Sequence, residues 1–470
     1  MLITSVCFAQ YPYNYTIRKV STGRSQDMMD RVEELFAVET QTDFKDYRND
    51  NMVQSINSER LANMKKSIKR GYYIIDDTLQ QFVDGVLNRI IQENEITSES
   101  KHFILIADDA SLTALCYGKG IFVINIGLLA NINSEDQLAF VLAHEMAHDA
   151  LGHIREKILK ERTLRLGAKS KKFAQQVFSY NRNIDLEEIE EYRSTAYDVM
   201  RYSRTMETQA DSLGLLYIGR AGYQKQAAIE LLELLKEKQK PKYPIGVDFF
   251  LPFDSPQYPF QSYWLNDRAN IFNASRKGST NVFSYDSLQT HPDLEKRQLY
   301  LAAANYPVPQ HTFDKQTDSY KSIALAEMQV IQSALRAGKY DLTLYYAMQM
   351  LKKYPKNAFV INRIAAALVY TLVAKDENIF TSIVSPYTRT YNEELRLINN
   401  FLYNLERKEL GEVAYYFMKR EDHFNPNERS HYYLLWRICD LTYRYTEKNA
   451  LAKTYSTKFN SDISTFNFKK

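Results

Sequence analysis

Residues 138–148 read Leu-Ala-Phe-Val-Leu-Ala-His-Glu-Met-Ala-His. Six apolar residues in a row leave no polar face, so a helix here has to be enclosed by the rest of the chain. Yet the run ends in His144, Glu145 and His148. Buried polar side chains need partners, so whatever encloses this helix must also satisfy those three. The helix has legible ends. Ser134-Glu135-Asp136-Gln137 is a capping-box pattern with Ser134 as N-cap, and Gly152 is a stop signal.

His144 and His148 differ by about 40° around a helix, so both rings leave the same face. Two neutral imidazoles so placed can chelate one zinc ion. Glu145, next to the first of them, can take a proton from a water molecule activated there. The bland alternative is a surface helix that happens to carry two histidines. Histidine is scarce, 8 in 470 residues, and chance supplies only about 0.01 HExxH matches in such a chain. The apolar turns before the motif also argue against a surface position.

Catalytic zinc usually takes three protein ligands and leaves one position open. His153 sits about 140° further round the helix than His148, away from the metal face. It is expected behind a ligand or at the surface, not on the metal. Glu207 and Asp211, in Glu-Thr-Gln-Ala-Asp-Ser-Leu-Gly, are four residues apart and share a helix face. Two carboxylates that close repel unless something positive lies near. Glu207 as third ligand, with Asp211 accepting the spare N–H of a liganding histidine, resolves the conflict. An ordinary solvated acidic face remains the alternative.

HExxH followed by Glu-x-x-Ala-Asp-x-x-Gly resembles the HtpX/BepA-type zinc metallopeptidases, gluzincins related to the CAAX-processing proteases. Flanking stretches agree: residues 120–129, Ser203-Arg204, Ala221-Gly222-Tyr223 and His291-Pro292-Asp293-Leu294-Glu295-Lys296-Arg297. The likeness covers roughly residues 75–300. It departs at Thr113-Ala114, where the family often has Asn-Ala, and in Cys116-Tyr117-Gly118-Lys119-Gly120, which lacks the usual proline. The resemblance implies one Zn2+ per subunit on His144, His148 and Glu207. It implies His291 as a second donor to the transition-state oxyanion and Arg297 as a structural partner, through a carboxylate such as Asp211. It also implies that a sheet edge beside the cleft pairs with the substrate backbone, for which Ile121, Phe122, Val123, Ile124 and Asn125 are the candidate. His291 has a second reading, as a fourth ligand that closes the zinc site until a loop moves.

The chain has room for two or three domains. Net charge is +3, too small to imply nucleic acid. No run of 18 apolar residues is evident, so no membrane span is expected. Residues 1–9, Met-Leu-Ile-Thr-Ser-Val-Cys-Phe-Ala, look like the end of a secretory signal, which points to a periplasmic or secreted protein rather than a cytoplasmic one. Cys116 and Cys439 fall in different expected domains and read as free thiols.

The expected fold is α+β and mainly helical: a gluzincin-type domain with a small sheet, then an all-α domain. Residues 10–70 read as a variable lead-in and 71–310 as the peptidase domain. Strands are expected at 103–107 and 121–124. Residues 155–202 read as a charged helical excursion. Residues 240–290, rich in proline and aromatics, read as a lid over the cleft, with a packed structural loop as the alternative. From 315 to 470 the pattern is helical. Gly338-Lys339-Tyr340-Asp341 and then Tyr354-Pro355 have the spacing of a TPR repeat, with Thr343 where alanine is usual. A peptidase domain followed by such repeats resembles periplasmic members of the family that act in envelope assembly. The functional expectation is therefore a zinc endopeptidase of the cell envelope that removes misfolded proteins, its TPR-like helices holding assembly partners. The alternative is a non-proteolytic chaperone or scaffold with its zinc closed by His291.

Overall fold

The computed structural model describes residues 22–96, 102–166, 204–236, 247–267, 294–306, 319–384 and 393–466. The described residues divide into two compact units, one within Arg18–Gln239 and Asn270–Ala326, the other within Lys240–Ala269 and Glu327–Lys470. The observed class is mostly helical with one small sheet.

The first unit is built on three strands, β1 (Phe103–Ala107), β2 (Ala114–Gly118) and β3 (Ile121–Asn125), in the order β1-β3-β2. β1 runs parallel to β3 and β2 antiparallel to it. On one face lie α1 (Thr22–Thr42) and α2 (Asn51–Lys69), whose Val32, Phe36, Met64 and Ile68 pack with Leu105, Ile121 and Val123. α3 (Asp77–Glu93) packs on β1, and α5 (Glu135–Ala150) packs on β2 and α3. The short α4 (Ile126–Asn131) joins β3 to α5. Residues 22–69 are thus structural cover for the sheet and not a separable lead-in.

The strand arrangement corrects the substrate-edge expectation. Ile121, Phe122, Val123, Ile124 and Asn125 form the central strand, paired on both sides and buried throughout. A strand covered on both faces reads as an unbroken apolar run, as Ile-Phe-Val-Ile does. β2 is a third strand beside the two expected at 103–107 and 121–124. Lys119 and Gly120 have φ of 45° and 76°, the two-residue reverse turn of a hairpin. β2 pairs only with β3 among the described strands, and its residues alternate between buried and half-buried. The outer side of β1 is partly taken, since Ile74 N–H donates to Ile106 O at 2.8 Å.

α6 (His153–Leu166), α7 (Arg204–Arg220), α8 (Lys225–Lys236) and α9 (Leu294–Ala303) complete the first unit. Of the expected 155–202 excursion only the continuation of α6 to Leu166 is described.

The second unit takes the end of α10 (Ser319–Arg336), then α11 (Tyr340–Lys353), α12 (Ala358–Asp376), α13 (Phe380–Ile383), α14 (Glu393–Asn404), α15 (Arg407–Lys419), α16 (Arg429–Leu441) and α17 (Tyr445–Phe459). Gly338 turns the chain between α10 and α11 with φ of 69°, a conformation that suits glycine. Asn357 caps α12, accepting from Val360 N at 3.2 Å. α12 is apolar and long enough to cross a membrane, which the sequence reading overlooked, but 78% of its apolar window is buried inside the protein. It packs on α11, α15 and α16 as the core helix of this unit.

Residues 247–267 also belong here, which moves them out of the expected 71–310 domain. Phe253 stacks on Phe401 at 4.9 Å and meets Phe417 at 5.5 Å. Trp264 is fully buried, and its indole N–H donates to Glu409 at 3.3 Å. Asn404 donates to the backbone oxygens of Trp264 and Asn266 at 3.1 and 2.8 Å. This stretch is packed aromatic structure, not a free lid; the remainder of 240–290 lies outside the described residues. Cys116 and Cys439 are both buried and free.

Candidate active site

α5 starts at Ser134, whose hydroxyl accepts from Gln137 N at 3.3 Å. Its residues from Glu135 to His148 are all buried. Gly152, at φ of 70°, ends it and turns the chain into α6. α7 lies against α5 so closely that a Cβ on Gly214 would stand 3.3 Å from the His144 backbone nitrogen. The glycine is what permits this approach.

The crossing gathers His144, His148 and Glu207 into one buried cluster, with a donor atom from each within 4.8 Å of the others. His144 Nε2 and His148 Nε2 are 3.0 Å apart. Glu207 lies 3.6 Å from the first and 3.5 Å from the second. On its other side the His144 ring donates from Nδ1 to Asp211 at 3.0 Å. Arg297, from α9, grips Asp211 with two hydrogen bonds of 2.8 and 2.7 Å and reaches Glu207 at 2.8 Å. Glu145 is buried beside them. His153 touches His148, Nδ1 to Nδ1, at 2.8 Å.

The cluster fits a divalent cation on its own chemistry. With both histidines neutral and His144 donating from Nδ1, the facing Nε2 atoms present lone pairs to the same point. Glu145, Glu207 and Asp211 against the Arg297 guanidinium and the Lys157 ammonium still leave a negative charge buried among them, which is costly without a counter-charge. Without a metal, protonation of His144 relieves part of this. Burial and the Arg297 charge push its imidazolium pKa down, but the hydrogen bonds to Asp211 and Glu207 outweigh them and lift it to about 9. Burial alone would raise the Asp211 carboxyl; Arg297 and His144 hold it below the usual range instead. Burial likewise opposes charge on Arg297, but Asp211 and Glu207 bind its proton more firmly still.

Two residues were not marked by the sequence reading. Gln209, between Glu207 and Asp211, meets His153 Nε2 with its side-chain oxygen at 3.2 Å. Lys157, expected in the charged helical excursion of residues 155–202, lies in the field of Glu207 and Glu145; burial lowers its ammonium to about 8 against the pull of those carboxylates. Lys157 lies one helical turn after His153, and that spacing was the available signal. His291 lies outside the described residues.

An HExxH helix with a carboxylate ligand from a following helix defines a metallopeptidase site. Residues 78–304, just under half of the chain, match the model of peptidase family M48, so this part of the chain is similar to that family of metallopeptidases, whose members depend on zinc. The chain is also similar to two mitochondrial metalloendopeptidases named OMA1. It is 31% identical to that of Schizosaccharomyces pombe over 156 residues, 32% of this chain and 42% of the relative. It is 27% identical to that of Arabidopsis thaliana over 132 residues, 28% of this chain and 25% of the relative. The match thus spans less than half the length of either relative.

Proposed function

We propose that the protein is a zinc-dependent endopeptidase acting on extended segments of other proteins, with His144, His148 and Glu207 as the metal ligands. The observation that carries this reading is the buried cluster of those three side chains, backed by Asp211 and Arg297. Bound there, zinc supplies Lewis acidity and makes water nucleophilic near neutral pH. Glu145 acts as general base towards the attacking water and then gives the proton to the leaving amine. Asp211 orients His144 through its Nδ1–H, and Arg297 keeps both carboxylates in place. The substrate backbone pairs along β2, whose outer side has no strand neighbour among the described residues. Backbone pairing accepts many sequences, which suits a quality-control protease.

The finer reading places the protein in the cell envelope, periplasmic or secreted, and gives the α10–α17 region a TPR-like role in holding partners. The Gly338 turn followed by the α11–α12 pair supports a helical-hairpin array. The signal-like residues 1–9 support the compartment; the relatives' printed names are mitochondrial. His291 is proposed as the oxyanion donor by resemblance alone.

The test is digestion of casein and of a misfolded client by the purified protein, with and without chelator, alongside zinc content. Zinc bound near one per chain and chelator-sensitive cleavage support the reading. Cleavage that persists after complete metal removal overturns it.

A further inference from the structure

We propose that His153 and Gln209 form a positioning pair that fixes the ring tautomer of His148, and through it the metal affinity of the site. The inference rests on the reading of His148 as a zinc ligand.

The geometry leaves one consistent assignment. His148 faces His144 and Glu207 with Nε2, so a liganding His148 must carry its proton on Nδ1. That Nδ1 stands 2.8 Å from His153 Nδ1. Two nitrogens at that distance share one proton, so His153 Nδ1 must be the acceptor. The His153 proton then sits on Nε2, where an acceptor is needed. Gln209 Oε1 is there, at 3.2 Å. The hydrogen bonds run in one direction, from His148 to His153 to Gln209. With the opposite sense, His148 would hold its proton on Nε2 and present no lone pair to the metal.

The helices make this arrangement economical. His153 opens α6 directly after the Gly152 turn, so one tight turn brings it back under the C-terminal end of α5. Gln209 comes from α7, two residues after Glu207. The helix that supplies the third ligand therefore also supplies the acceptor that orients the second. His144 is held separately, by Asp211. The two ligating rings thus have different backing: a carboxylate for one, and a neutral imidazole with an amide for the other. His153 itself is buried, while Gln209 sits at the more exposed end, so the imidazole is the stronger determinant.

Two measurements test this on the full chain. In the zinc-loaded protein, long-range proton–nitrogen NMR of labelled histidines should find the His153 proton on Nε2 and the His148 proton on Nδ1. A His153 proton on Nδ1, alone or together with Nε2, overturns the proposal. Zinc affinity by chelator competition should fall about 10–100-fold in His153→Phe. In His153→Asn, which restores an acceptor oxygen, it should recover most of that loss. Equal affinity of His153→Phe and wild type, or of His153→Phe and His153→Asn, also overturns it. If His153→Phe does not fold, Gln209→Met decides. It leaves the His153 Nε2 proton without its acceptor, so zinc affinity by chelator competition should fall below wild type; unchanged affinity overturns the pair. A wild-type protein that binds no zinc would instead defeat the ligand assignment on which the proposal stands.

Discussion

Two helices, α5 and α12, are each the enclosed core of their unit, and both read as apolar runs. They differ in where their polar atoms find partners. In α12 the buried ones meet neutral partners: Thr371 donates to Ala367 O at 2.7 Å, and Asn362 Nδ2 donates to Ser430 Oγ of α16 at 2.8 Å. In α5 they are charged and come from far along the chain: Glu207 and Asp211 from α7, both held in turn by Arg297 from α9. Equal burial therefore carries different meanings. A core helix whose buried polar groups meet neutral partners is scaffold. A core helix ending in His-Glu-x-x-His has to be satisfied by distant residues, and that requirement assembles a site.

The sharpest way to break this contrast is Glu145→Gln. Proteolysis should fall by about 10²–10⁴-fold while zinc content and melting stay near wild type; unchanged turnover of casein would remove Glu145 from the chemistry. Next comes Arg297→Met, which leaves two buried carboxylates without their cation. It should cost about 3–5 kcal/mol of stability in the metal-free protein, and added zinc should return part of it in thermal denaturation. Leu368→Ala in α12 should cost about 2–5 kcal/mol, with no response to zinc. If both variants respond to zinc alike, the division between a metal-dependent core and a metal-independent one fails. Gly214→Ala is milder: a methyl 3.3 Å from the His144 nitrogen should cost about 1–3 kcal/mol and weaken zinc binding by separating α5 from α7.

The smallest effect is a pH dependence. The His144 pKa is raised in the metal-free protein to about 9, so its contribution to stability is full below its ordinary value near 6.5 and is lost as pH rises through about 9. Zinc must displace that proton, so affinity should rise by about tenfold per pH unit across the same window. Affinity that is flat with pH in calorimetry would show that His144 is neutral before metal arrives.

Much of the site was legible because metal chemistry restricts residue type and helix geometry restricts spacing. His144, Glu145 and His148 are read from one turn of helix, and Glu207 with Asp211 from another. β2 was not legible, because its hairpin turns through Lys119-Gly120, and lysine seldom takes a positive φ. Missing β2 made β3 look like an edge, although its unbroken apolar run already marked a strand covered on both faces. The 247–267 stretch was misread for a related reason. Proline and aromatics state that a segment is irregular and bulky, not which surface buries it.

The amino-acid sequence by itself determined the candidate ligands, the candidate general base and the helices that carry them, because periodicity and capping are local. Only the tertiary structure decided that β3 is central, that Arg297 joins Glu207 to Asp211, and that His153 stands between His148 and Gln209. Most of those facts depend on contacts between residues far apart in the chain, as Glu207 is from Arg297, and no local pattern in a chain encodes which distant partner will arrive.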